Sequence, residues 1–177
     1  DSRLRAIKRA LAVKYTSFAV FIVFRMIGLL PLQMLQHIGE MLGNIAWRMP
    51  GSYKRRAATN MRLAYPEADE ALQRQSMQEL MCMFLELPYL WAPRNINRLE
   101  QLVSCDAWDL IDHELAKGRG LILISPHIGC FEMLCPLYSR RHIATVIYKE
   151  PRLKWLAALI DRVRISPQLT MVPANQQ

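Results

Sequence analysis

The chain has 177 residues, 52% of them hydrophobic and only 21% charged, with a formal net charge of +8 and an isoelectric point near 9.6. That length suits one domain with a real core and leaves little room for two. The positive balance selects anionic partners, and nucleic acid is set aside among them because neither a zinc-finger spacing nor an aromatic RNA-binding signature is present.

The apolar surplus concentrates near the N-terminus. Residues 1–14 carry Arg3, Arg5, Lys8, Arg9 and Lys14 against one acid, Asp1. The following run, YTSFAVFIVFRMIGLLPLQML from Tyr15 to Leu35, is nearly long enough to span a bilayer. Arg25 sits near its middle and Pro31 near its end, and a central arginine is expensive in a spanning helix unless it snorkels or pairs. Three readings stand: a single spanning anchor oriented by its basic flank, a monotopic segment lying in the interface, and a buried core helix. A signal peptide is disfavoured, because no small-residue cleavage site follows. Either membrane reading places the bulk of the chain at a cytoplasmic membrane surface. The expected division is a basic, membrane-associated helical segment over 1–50 and an α/β portion over 51–177.

His37 to Met49 repeats apolar residues at helical spacing (Ile38, Met41, Leu42, Ile45, Trp47), and Pro50-Gly51 stops it. A short span then carries Lys54, Arg55, Arg56 and Arg62. The stretch ADEALQRQSMQELMCMFLEL predicts a helix with Leu72, Leu80, Met81, Phe84 and Leu85 towards the core, ended by Pro88. LEQLVSC reads as a short strand, and DAWDLIDHELAKG as a helix capped by Asp106 and closed by Gly118. GLILIS, HIATVIY and LTMVP are apolar runs of strand length. Between them, CFEMLCPLYSR starts as a helix, and PRLKWLAALIDRVR has Pro151 at a helix start with Leu153, Leu156, Ala157 and Ile160 on one face. The alternation predicts an α/β fold, a mainly parallel sheet covered by helices. A chain that stops at MVPANQQ, just after a strand, is expected to be an incomplete fold, part of a longer protein. Cys82, Cys105, Cys130 and Cys135 include no pair at zinc or redox spacing, so four free, mostly buried thiols are expected.

Open α/β sheets bind ligands at the carboxyl ends of their strands. His127 follows GLILISP there, and Glu132 comes five positions later, near the start of the next helix. A carboxylate so placed can orient one imidazole nitrogen while the other takes a proton from a hydroxyl. The bare H-x-x-x-x-E spacing is also compatible with a satisfied histidine at a strand end. A metal site lacks a second histidine or cysteine at useful spacing. No G-x-S-x-G elbow is present to form an acyl-enzyme, and Cys130 lies inside the His–Glu spacing as a packing or lining residue.

The block GRGLILISPHIGCFEML, with TNMRLAYPE and VIYKEPRLKWLAALIDRVR, resembles the bacterial lipid A biosynthesis (lauroyl/myristoyl, late) acyltransferase family, within the wider glycerolipid acyltransferase group. The likeness covers most of the chain and corresponds to the N-terminal part of such enzymes. It implies a glycerolipid-acyltransferase-like fold with an N-terminal membrane helix. It also implies direct transfer of an acyl chain from an acyl thioester, on acyl carrier protein or coenzyme A, to a lipid hydroxyl. His127 matches the general base and Glu132 its acidic partner. Arg164, its neighbour Arg162, Tyr148 and Lys149 match basic and tyrosine positions near the substrate, although the family often has arginine where Lys149 stands. Cations there suit lipid phosphates or a phosphopantetheine arm, and a solvated helix face is the plain alternative for Arg162 and Arg164. No metal or cofactor is implied. The partners implied are the acyl donor, a lipid acceptor and inner-membrane lipids on the cytoplasmic face, and an acidic carrier and anionic lipids both suit a +8 chain. The competing readings are a non-catalytic membrane-anchored interaction domain and an ester or thioester hydrolase.

Overall fold

The structure, a computed structural model, describes residues 2–163 and 166–174. The described residues fall into two compact units, one of 2–92 with 150–163 and one of 93–149 with 166–174.

The first unit is helical. It contains α1 (Ser2–Ile27), α2 (Leu32–Arg48), α3 (Ser52–Ala64), α4 (Glu70–Leu90) and α8 (Lys154–Val163), which packs along α1. Its central contact is α2 on α4. The buried residues of α2 are Leu35, Gly39, Gly43 and Trp47, one every four residues, so they form a single stripe. Two are glycines because the backbones touch: a Cβ on Gly39 would lie 2.6 Å from Cys82 Cα, and one on Gly43 would lie 2.4 Å from Gln78 Cα. Small residues at this spacing let two helices approach without side chains between them. Below the glycines, Trp47, Ala58 and Met77 make a core with Ala46, Ala57, Leu80 and Met81 against it. Polar groups close the edges. Trp47 Nε1 donates to Glu70 at 3.3 Å, Cys82 Sγ donates to the Gln36 carbonyl at 3.3 Å, and Gln36 Nε2 donates to Glu86 at 2.9 Å. Asp69 caps α4 by accepting from the Leu72 amide at 2.8 Å.

Among the described residues no single helix is long and apolar enough to cross a membrane; Val13–Ile27 and Leu32–Arg48 meet that test together only as a pair bent by 114°. The bend falls at Gly28–Pro31. Gly28 has backbone for a neighbour, since a Cβ there would meet the Pro88 carbonyl oxygen at 2.4 Å, and Pro31 immediately precedes α2. The pair leaves apolar side chains in solvent, among them Phe18, Ile22 and Met26 of α1 and Met34, Met41 and Ile45 of α2.

The second unit contains a turn of 3₁₀ helix at Pro93–Asn95, α5 (Ile96–Leu102), α6 (Trp108–Ala116), a second 3₁₀ turn at Phe131–Met133, α7 (Leu134–Tyr138), β1 (Ala144–Tyr148) and β2 (Leu169–Pro173). β1 and β2 pair in parallel, in register from Ala144 opposite Leu169 to Tyr148 opposite Pro173. Three consecutive basic residues tie the helices to the entry of β1. Arg140 reaches both Glu100 oxygens, each at 3.2 Å, and Asn97 at 3.1 Å. Arg141 lies 4.5 Å over the Trp108 ring, and His142 Nε2 is 2.7 Å from Asp112 Oδ1.

The expectation of a mainly parallel sheet under helical cover holds in part: the described residues are mostly helical, and their sheet is parallel as expected but has only two strands. LEQLVSC is not a strand. Its first half belongs to α5, where the i, i+3 spacing of Ile96, Leu99 and Leu102 prevails and Leu99 is buried. GLILIS is paired with no strand among the described residues, and Ile122 and Ile124 are 88% and 91% exposed. A fully apolar strand is stable only with a sheet on its edges and cover on both faces, and the two-stranded sheet supplies neither to this run. Pro88 does not end α4, which continues to Leu90; the proline sits in the last turn, and the Trp91 amide still bonds the Leu87 carbonyl at 3.0 Å. Leu72 and Phe84 face solvent, and the α4 burial falls on Met77, Cys82, Pro88, Tyr89 and Leu90. Ala107, not Asp106, precedes the first residue of α6, and α8 starts at Lys154, three residues after Pro151.

Candidate active site

Between the unpaired run 120–126 and α7 the chain makes a tight reversal. Gly129 takes a φ of +58°, a left-handed conformation that a side chain would disfavour. The reversal delivers residues 131–133 into a 3₁₀ turn, with Glu132 at its centre and half-buried. His127 precedes the reversal and is exposed. Its imidazole lies against the Phe131 ring, 4.3 Å between centroids and tilted by 50°. Residues four apart across the turn thus face each other, the imidazole against an aromatic ring on an exposed residue. Phe131 and Gly129 were not singled out from the sequence. The readable signal was the glycine inside the H-x-x-x-x-E spacing, with an aromatic four residues after the histidine.

Tyr148 and Lys149 stand at the carboxyl end of β1. Tyr148 is half-buried, its carbonyl accepts from the Ala174 amide at 2.8 Å, and Lys149 is exposed. Arg162 belongs to α8. Arg164 lies outside the described residues. The structure therefore brings together His127 and Phe131 on one turn, and sets Tyr148 and Lys149 at a strand end of the same unit.

No group of three metal-ligating side chains gathers among the described residues. None of the four cysteines is in a disulfide: Cys82 is buried, Cys130 and Cys135 half-buried, and Cys105 exposed, which corrects the expectation of mostly buried thiols for that one residue. Burial, reinforced by the carboxylates of Glu79, Glu40 and Glu86, pushes the Cys82 thiol up from its ordinary range and keeps it protonated. It is a packing residue, not a nucleophile.

An exposed imidazole with a carboxylate five residues on, in a segment lined by apolar side chains, can take a proton from a hydroxyl brought to it by an apolar substrate. Comparison with known proteins adds one finding. The family model described as bacterial lipid A biosynthesis acyltransferase matches residues 5–177. Comparisons with curated proteins and with solved structures gave no match.

Proposed function

Because the chain belongs to the bacterial lipid A biosynthesis acyltransferase family, we propose that it places a late, secondary acyl chain on a lipid A precursor at the cytoplasmic face of the inner membrane. Membership makes it an acyltransferase of lipid A biosynthesis, with an acyl donor and a lipid acceptor. The donor in this proposal is an acyl thioester on acyl carrier protein or coenzyme A, and no cofactor takes part.

The observation that carries the reading is the turn that presents His127 to solvent five residues before Glu132. His127 takes the proton of the acceptor hydroxyl as the oxygen attacks the thioester carbonyl. The tetrahedral intermediate collapses to the new ester, the carbon–sulfur bond breaks, and the imidazolium returns the proton to the leaving thiolate. Glu132 stabilises that imidazolium once substrate is bound, in keeping with catalytic hydrogen bonds that tighten only in the complex. Tyr148, Lys149, Arg162 and Arg164 bind the phosphates of the acceptor or the phosphopantetheine arm of the donor. The bent pair of α1 and α2 enters the lipid from one side and returns to it, a monotopic attachment by the 1–50 segment that leaves residues 51–177 at the surface.

The test is mass spectrometry of the lipids of a strain lacking the gene, with product analysis of the purified full-length enzyme. Lipid A lacking one secondary acyl chain is expected, with an acylated lipid as the product in vitro. Unchanged lipid A with a deficit in another glycolipid would overturn the acceptor, and release of free fatty acid would make the enzyme a hydrolase.

A further inference from the structure

From Met41 to Pro66 the sequence holds no acidic residue, while Arg48, Lys54, Arg55, Arg56 and Arg62 supply five positive charges. Lys54 is half-buried over the Trp47 ring at 4.2 Å and belongs to the core. The four arginines are exposed. Among the described residues none of them is ion-paired, and the recorded side-chain bond of Arg62 is to a backbone carbonyl, that of Ala58, at 3.3 Å. Helix periodicity explains the arrangement. Ala57, Ala58 and Met61 point into the unit, so Arg55 and Arg62, seven residues apart, fall on one outward line, and Arg56 and Leu63 fall on the next. Leu63 is 78% exposed and Tyr53 54% exposed. An uncompensated row of guanidiniums calls for anions. Leu63 beside Arg56, and Tyr53 one turn before Arg56 on the flank away from Arg55 and Arg62, call for a partner that takes apolar and phenolic groups beside those anions.

The headgroup layer of an anionic bilayer offers both: phosphates for the arginines, and a boundary where tyrosine rings and leucine side chains settle. We infer that the outward face of α3, with Arg48 at the end of α2, is a headgroup-binding surface for anionic lipids. It acts in addition to the apolar attachment through α1 and α2, and this inference rests on the membrane reading of the preceding subsection. Phosphate binding here holds the unit flat against the leaflet, and the arrangement separates two contributions: an apolar one carried by the bent pair, and an electrostatic, salt-sensitive one carried by α3.

The experiment is flotation of the full chain with phosphatidylcholine vesicles, with and without about a third phosphatidylglycerol, at low and high salt. The wild type is expected to bind both kinds, the anionic one more tightly and with a strong salt dependence. The triple variant Arg55→Glu/Arg56→Glu/Arg62→Glu is expected to keep its affinity for neutral vesicles and to lose on the order of 100-fold on anionic ones. The Arg→Gln triple variant should fall between the two. All three side chains are exposed, so circular dichroism and melting should match the wild type. Anionic-vesicle binding equal to wild type in the Glu variant would overturn the inference. So would intact vesicle binding accompanied by lost binding to acyl carrier protein, which would make α3 a docking face for an acidic protein. A wild type that binds neutral vesicles but gains nothing from anionic lipid would sink the α3 surface and leave the attachment through α1 and α2 standing. A wild type that binds neither would overturn both.

Discussion

The seam between α2 and α4 and the run from Leu121 to Ile128 are similarly apolar, and water treats them oppositely. In the seam, glycines at 39 and 43 bring two backbones into contact, and Leu35 and Met77 are almost wholly withdrawn from solvent. In the run, Ile122, Ile124 and Ile128 are 88%, 91% and 77% exposed. Hydrophobicity alone does not bury a side chain; a partner surface of matching shape does. The seam has one because small residues let a second helix come close. Among the described residues the run has no strand beside it, and its end carries the exposed imidazole of His127, the base of the proposed transfer.

That contrast can be broken from either side. The largest effect is expected at the exposed end. His127→Ala should lower kcat/KM for acyl transfer by about 10² to 10⁴ with an unchanged melting temperature, since the side chain supports no core. Transfer rates within a factor of two of wild type would dismiss it as the base. In the seam, Gly39→Leu or Gly43→Leu should destabilise the protein by about 1–3 kcal/mol or more, because the new side chain would have to displace backbone. Urea unfolding measures it, and a midpoint equal to wild type would mean the helices are not in backbone contact.

Thiol chemistry gives a finer comparison. Maleimide at pH 8 should label exposed Cys105 at least about ten times faster than buried, protonated Cys82. The sign for stability follows from the raised thiol. The folded state holds the Cys82 proton to higher pH than the unfolded state does, so its contribution is complete below the ordinary thiol range and is lost as pH rises through the folded value. Cys82→Ala should flatten that alkaline decline, and a decline of unchanged slope would assign it to other groups. The smallest effect is expected at the exposed run: Ile124→Thr should change stability by within about 0.5 kcal/mol, where the same loss of apolar surface inside the seam would be felt several-fold more. A large loss at Ile124 would show that the run is buried in solution.

Much of this was legible because local rules agreed with tertiary contact. The helical period of Ile38, Met41, Leu42 and Ile45 with the stop at Pro50-Gly51 located α2, and HIATVIY and LTMVP located the two parallel strands. The same period found the packing face only in part: Trp47 is buried, while Met41, Leu42 and Ile45 are exposed and the glycines beside the seam carry the rest of the burial. A glycine carries no apolar signal, so a seam built on backbone contact is invisible to hydrophobic counting. LEQLVSC failed because seven residues fit a strand and two helical turns equally well, and burial of Leu99 decides between them. At the candidate site the His–Glu spacing could be read directly. The partner ring of Phe131 could not, because an aromatic after a histidine looks like core until the φ of Gly129 folds one onto the other.

The closeness of α2 and α4 also constrains where a fatty acid can go. An enzyme that measures its donor's tail needs a slot as wide as a methylene chain and as deep as the tail is long. Two helices whose backbones already touch at Gly39 and Gly43 hold no such slot between them. A slot for the acyl chain of the proposed transfer would have to lie outside that interface, and enlarging Gly39 or Gly43 should alter how firmly the protein is folded without altering which acyl chain it selects.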